Sequence, residues 1–170
     1  MSGIRFAQGL KVLPVLAPLD SAATAAVTAF VDLNMVNWVT FLVPFGNMTS
    51  DDSDVVNIIA RCSTEGSSAA TEPTAINFKY RISSAVATDS MGDITAGTSD
   101  GIGTSDDGVN ASTLDSKTLV IDIDPSDVAA KGADMRWVSL AFAPTGPITL
   151  LGVIAVAEVK YPGNSTPSST

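Results

Sequence analysis

The sequence predicts an all-β protein, a β-sandwich of jelly-roll kind with an extended N-terminal arm. Three observations carry that expectation. Apolar and polar residues alternate with period two in several separate runs, Gly- and Asp-rich turn signals lie between the runs, and no long helical pattern occurs. Seven or eight short strands joined by such loops suit two packed sheets, although strand order cannot be read from a sequence.

Taken from the N-terminus, residues 1–20 carry Ile4, Phe6, Leu10, Val12, Leu13, Val15 and Leu16, but also Pro14 and Pro18 and no alternation. So much apolar surface is costly to leave in water, and two prolines argue against a core strand. This stretch is expected to be an extended arm that docks on a neighbouring copy or a larger shell, so that its removal leaves a folded domain. As a secretory leader it is spoiled by the prolines, by Asp20 and by the late Lys11.

The domain itself is expected over residues 21–161. Residues 26–33, led by Val27, Val31 and Leu33, read as a strand, with a helix from Ser21 as the alternative. Residues 38–45 set Val39, Phe41, Val43 and Phe45 against Trp38, Thr40 and Leu42. Residues 55–62 set Val56, Ile58, Ala60 and Cys62 against Asn57, Ile59 and Arg61. Strands this apolar on both faces are central, or are covered by an arm or a neighbouring subunit.

The cleanest alternation is Ile76, Phe78, Tyr80 and Ile82 against Asn77, Lys79, Arg81 and Ser83, the pattern of a half-buried antiparallel strand. The Gly/Ser/Thr/Asp-rich stretch that follows has room for a short strand near Ile102 or Val109. Residues 117–124 then place Leu119, Ile121 and Ile123 inward. Asp124, Pro125 and Asp127 predict one helical turn, since Asp124 can cap and proline suits the first position. Residues 135–143 place Val138, Leu140 and Phe142 inward. Residues 148–161 are long for one strand, and Gly152 marks an expected bulge. A polar tail, residues 162–170, closes the chain.

Composition narrows the chemistry. Nine basic residues face 18 acidic ones, a net charge of −9, and no Lys/Arg cluster exists to neutralise a phosphate backbone. Neither nucleic acid nor a membrane is an expected partner, because the longest apolar run is too short for a spanning helix. With no histidine and a single cysteine, the usual catalytic base and the usual zinc ligands are missing. Cys62, among Ile58, Ile59 and Ala60, reads as a buried hydrophobe rather than a reactive thiol. Asp89, Asp93, Asp100, Asp106 and Asp107 read as turn formers, lacking an EF-hand spacing for Ca²⁺. No catalytic, metal or cofactor residue is assigned, and the chain is not expected to be an enzyme.

The remaining candidates are aromatic. By parity Trp38 and Trp137 point away from the inward faces of their strands. Three uses fit: stacking on sugar, anchoring a subunit interface, or packing beneath an arm or loop. The candidate interface residues are therefore Ile4, Phe6, Leu10, Val12, Leu13, Trp38 and Trp137.

The whole pattern runs from the apolar arm to Val31-Asp32-Leu33 and then Trp38-Val39-Thr40-Phe41-Leu42-Val43. It continues through Phe45-Gly46, Tyr80-Arg81, Leu119-Val120-Ile121-Asp122-Ile123-Asp124 and Arg136-Trp137-Val138-Ser139-Leu140 to Tyr161-Pro162. It resembles the small β-sandwich decoration (cement) and virion structural proteins of tailed bacteriophages. That resemblance implies a place on the outer capsid surface, the major capsid protein as partner, and self-association, with a trimer favoured. The alternative is a carbohydrate-binding or fibre-like module on the virion. The resemblance has no diagnostic motif, so it transfers no functional residue.

Overall fold

The computed structural model describes residues 10–21, 25–34, 36–48, 53–67, 73–84, 90–103 and 108–160. They form an all-β sandwich. One sheet has the order β1 (Leu10–Leu16), β14 (Val153–Val159), β5 (Val36–Pro44), β11 (Thr118–Ile123), β8 (Phe78–Ile82), β9 (Thr95–Gly97). The second is built on β12 (Trp137–Pro144) and β6 (Val55–Ser63). Beyond β12 lie β3 (Ala26–Val27) and β4 (Val31–Asp32), and beyond β6 lie β7 (Thr74–Ala75) and β10 (Val109–Asn110). A two-stranded ribbon, β2 (Leu19–Ser21) with β13 (Ile148–Leu150), stands apart from both.

The pairing is nested. β1 pairs β14, β2 pairs β13, β3 and β4 pair β12, β5 pairs β11, and innermost β6 pairs β7 and β10, all antiparallel. A long hairpin rolled up so that its successive rungs fall in alternate sheets gives this pattern, which is how a jelly roll is wound.

Period-two burial explains why each long strand forms. Val39, Phe41 and Val43 of β5 and Leu119 and Ile121 of β11 have no exposed surface, and Val56, Ile58, Ala60 and Cys62 of β6 meet Val138 and Leu140 of β12 in the same core. Fully burying each of the larger side chains contributes roughly 1.5–3 kcal/mol. The expected helical turn is present as α2 (Pro125–Ala129), where the Asp124 carboxylate accepts the Ser126 amide. A further short helix, α1 (Ala111–Leu114), buries Ala111 and Leu114 and was not foreseen.

Three expectations are corrected. The arm expected over residues 1–20 is, from Leu10, an edge strand paired with β14 of the same chain, burying Val15 and packing Leu13 and Leu16 on the core. Pro14 is tolerated there because an edge strand has one side that needs no donor. Residues 26–33 form two short strands rather than one strand or a helix. Residues 148–161 divide at Gly152, whose φ of +110° turns the chain between β13 and β14. Ile4, Phe6 and the tail 162–170 lie outside the described residues.

The gap between β3 and β4 is sealed by a side chain. The Thr28 amide donates to the Leu140 carbonyl (2.9 Å), and the Leu140 amide donates to the Thr28 hydroxyl (3.0 Å), which replaces a ladder carbonyl inside a buried site. Thr28→Val keeps the shape and removes the acceptor. It is expected to cost about 1–3 kcal/mol, measured as a lowered urea midpoint with an unchanged slope.

Candidate functional site

The outer face of the larger sheet is set by the residues that alternate with the core. Across one row run Val12, Val156, Thr40, Asp122 and Lys79, and across the next Pro14, Ile154, Leu42, Val120 and Arg81. Its β1–β14–β5–β11 side is thus mainly apolar, with Val12 49% and Ile154 37% exposed, while its β8 side is charged. Leu151, next to this face in chain order, is 59% exposed.

Of the residues singled out in the sequence, Leu10, Val12 and Trp38 belong to this face, where Leu10, Glu158 and Trp38 form its end row. Leu13 turns inward onto the core. Trp137 lies on the other sheet, so the candidates do not make one surface. Leu42, Val120 and Ile154 were missed as outward-facing residues. The available signal was the double-sided apolarity of the strand containing Leu42.

Trp137 is satisfied within the chain. Gly66 lies against its indole so closely that a Cβ there would stand 2.7 Å from ring atoms, and the Arg136 guanidinium sits 5.3 Å from the ring centroid. The same guanidinium pairs with Asp32 at 2.9 Å, and Asp32 is the residue opposite Trp137 on β4. Packing beneath a loop, one of the three uses expected for the tryptophans, describes this ring.

Trp38 is different. It is 36% exposed and helps line a groove of about 490 Å³ with Asn37, Thr40, Lys79, Asp122, Asp124, Pro125 and Asp127. Strand register puts Asp122 beside both Thr40 and Lys79, and the Thr40 hydroxyl donates to the Asp122 carboxylate. Asn37 Nδ2 donates to Glu158 Oε2 at 3.2 Å. The amide and hydroxyl of Ser126 hold the Asp124 carboxyl below its usual range, and Lys79 adds to the effect. Its charge, and the capping bond it makes, are therefore complete above the ordinary carboxylate range and are lost only as pH falls through the lowered value.

Among the described residues, no three of His, Cys, Asp and Glu are grouped to hold a metal ion. Cys62 is fully buried, and burial raises its thiol pKa, which keeps the nucleophilic thiolate scarce at neutral pH. A disulfide reagent is expected to leave Cys62 unmodified for hours in the native protein and to react stoichiometrically within minutes in denaturant, followed by thiol absorbance. Rapid native labelling would show that the core opens at β6. Compared with protein-family models, curated proteins and solved structures, the chain matches none.

Proposed function

We propose that this chain is a non-enzymatic virion structural protein that decorates the outer surface of a tailed-phage capsid. The observation that supports an adhesive role is the apolar outer face of Val12, Pro14, Leu42, Val120 and Ile154 on a chain of net charge −9. Uncovered apolar surface rimmed by charge is characteristic of protein contact sites. The capsid, and the major capsid protein as partner, come from the resemblance of the sequence pattern, as do the virion location and trimeric self-association. Neither nucleic acid nor membrane is proposed as a partner.

The test is co-sedimentation with shells assembled from the major capsid protein of the same phage, beside sedimentation velocity of the free protein. Wild type should pellet with shells, and Ile154→Asp should lower its affinity at least tenfold while melting normally. A variant that binds shells as well as wild type would remove this face from the contact, and a wild type that never pellets would sink the decoration role. The second reading, a glycan-binding module, is favoured only by the exposed Trp38 ring beside polar groups. Saturable binding of a glycan that Trp38→Ala abolishes would support it.

A further inference from the structure

The two tryptophans stand in matching settings, one complete and one lacking a part. Each faces a carboxylate across the strand pair: Trp137 faces Asp32, and Trp38 faces Glu158. In each, the residue just before the tryptophan donates a hydrogen bond to that carboxylate. At Trp137 this is Arg136, whose guanidinium also covers the indole; at Trp38 it is Asn37, a neutral amide. Among the described residues the cation–π contact is made at Trp137 alone.

The Trp38 groove nonetheless has more negative charge than the Trp137 site. Asp122, Asp124 and Asp127 line it with Lys79 as the single cation, and Glu158 stands at its edge. An indole face among carboxylates attracts a cation electrostatically and disfavours anions such as acidic sugars or phosphates. Among biological cations, guanidinium fits best. It is planar, stacks on indole, and offers a fork of donors to a carboxylate, whereas ammonium is a compact, strongly hydrated point charge.

We propose that the Trp38 groove is a binding site for an arginine side chain presented by a partner polypeptide. The guanidinium stacks on Trp38 as Arg136 does on Trp137 and pairs with the carboxylates of Asp122 and Asp127. Asp124 is committed to its helix cap and supplies long-range attraction. This site adjoins the apolar face argued above, on the same outer side of the larger sheet, but uses different side chains and does not depend on the partner being a capsid.

The test titrates the full chain with N-acetyl-arginine amide, following tryptophan fluorescence and heat, with N-acetyl-lysine amide and neutral hexoses as comparisons. A lone side chain should bind at roughly millimolar Kd, as expected for so few contacts. The signal should saturate, weaken severalfold in Asp127→Asn and in high salt, and vanish in Trp38→Ala. Asn37→Arg should also abolish binding, because it supplies from within the chain the group that Arg136 supplies at Trp137. That variant keeps the proposal testable if Trp38→Ala does not fold.

Absence of saturation by the arginine amide, or equal binding by the lysine amide, overturns the assignment. So does saturation by a neutral hexose instead, which would make the groove a sugar site. Binding that emerges only after Arg5→Ala would mean that the chain's own N-terminal residues fill the groove, and it would overturn the partner assignment. Shell binding can fail while the arginine amide binds, and the reverse, so the two readings stand or fall separately.

Discussion

A chain beginning at Ala17 is expected to be far less stable than one beginning at Leu10, because the difference between them is β1. That strand buries Val15, packs Leu13 and Leu16 on the core, and pairs with β14 over most of its length. Losing those contacts costs on the order of 5 kcal/mol gross, and the backbone freedom regained offsets part of it. A typical domain is held together by only roughly 5–15 kcal/mol, so even part of that gross loss is large. It also bares β14, whose Val153, Ala155, Val156, Ala157 and Val159 would become an apolar edge open to pairing with other chains. Urea denaturation and light scattering of the two chains are the measurements. Equal midpoints and no aggregation would restore the view of this stretch as a dispensable arm.

Phe41→Ala is expected to have an effect of similar size from a single side chain. Phe41 is fully buried at the middle of β5, with Ile121 opposite it on β11 and Ala155 on β14. Removing the ring leaves a cavity between the sheets, and such substitutions cost about 3–5 kcal/mol. The unfolding midpoint should fall accordingly while the spectrum of the folded state stays that of a β protein. Because Phe41 faces the core rather than the outer surface, the arginine-amide affinity of the protein that remains folded should be unchanged. A loss below 1 kcal/mol would mean that the sheets close over the gap.

The parts of the fold legible in the sequence are those whose side chains report a period. Val39, Phe41 and Val43, or Leu119, Ile121 and Ile123, alternate over five residues each, and their burial follows the reading residue by residue. The parts that were not legible are short. β3, β4 and β7 have two residues each, too few for any period, and they pair with β12 and β6, whereas the equally short β10 falls at Val109, where a strand was expected. The Thr28 hydroxyl and the Ile102 amide, which donates to the Ile58 carbonyl, fill positions that no local pattern announces. β1 was obscured by Pro14, which reads as a breaker unless the strand is known to lie at an edge.

The candidate site divides in the same way. Parity placed Trp38 and Trp137 off the inward faces, which is what period two can do. That Asp32 pairs with Arg136 beside Trp137, and that Asp122 and Lys79 stand side by side near Trp38, depends on register between strands separated by much of the chain. Nothing local encodes that register. The apolar outer face was signalled only by the double-sided apolarity of β5, which shows that a second face needs cover without showing what covers it.

The nested pairing bears on how the molecule is made. Its outermost rung joins Leu10 to Glu158, and its innermost joins Arg61 and Cys62 to Ala75 and Thr74. Closing small loops first and large ones last keeps each step's entropy loss modest, so the order of assembly runs from the inner rungs outward. On the ribosome, β5 would wait for β11 and β14, and β1 for β14, until residue 159 has emerged. Half-built forms would carry unpaired strand edges during that interval, and folding in seconds rather than microseconds is the expected pace for contacts this distant in sequence. Slow closure and a late final strand make freshly synthesised chains the stage most exposed to mispairing, which cooling or chaperone supply during expression should relieve.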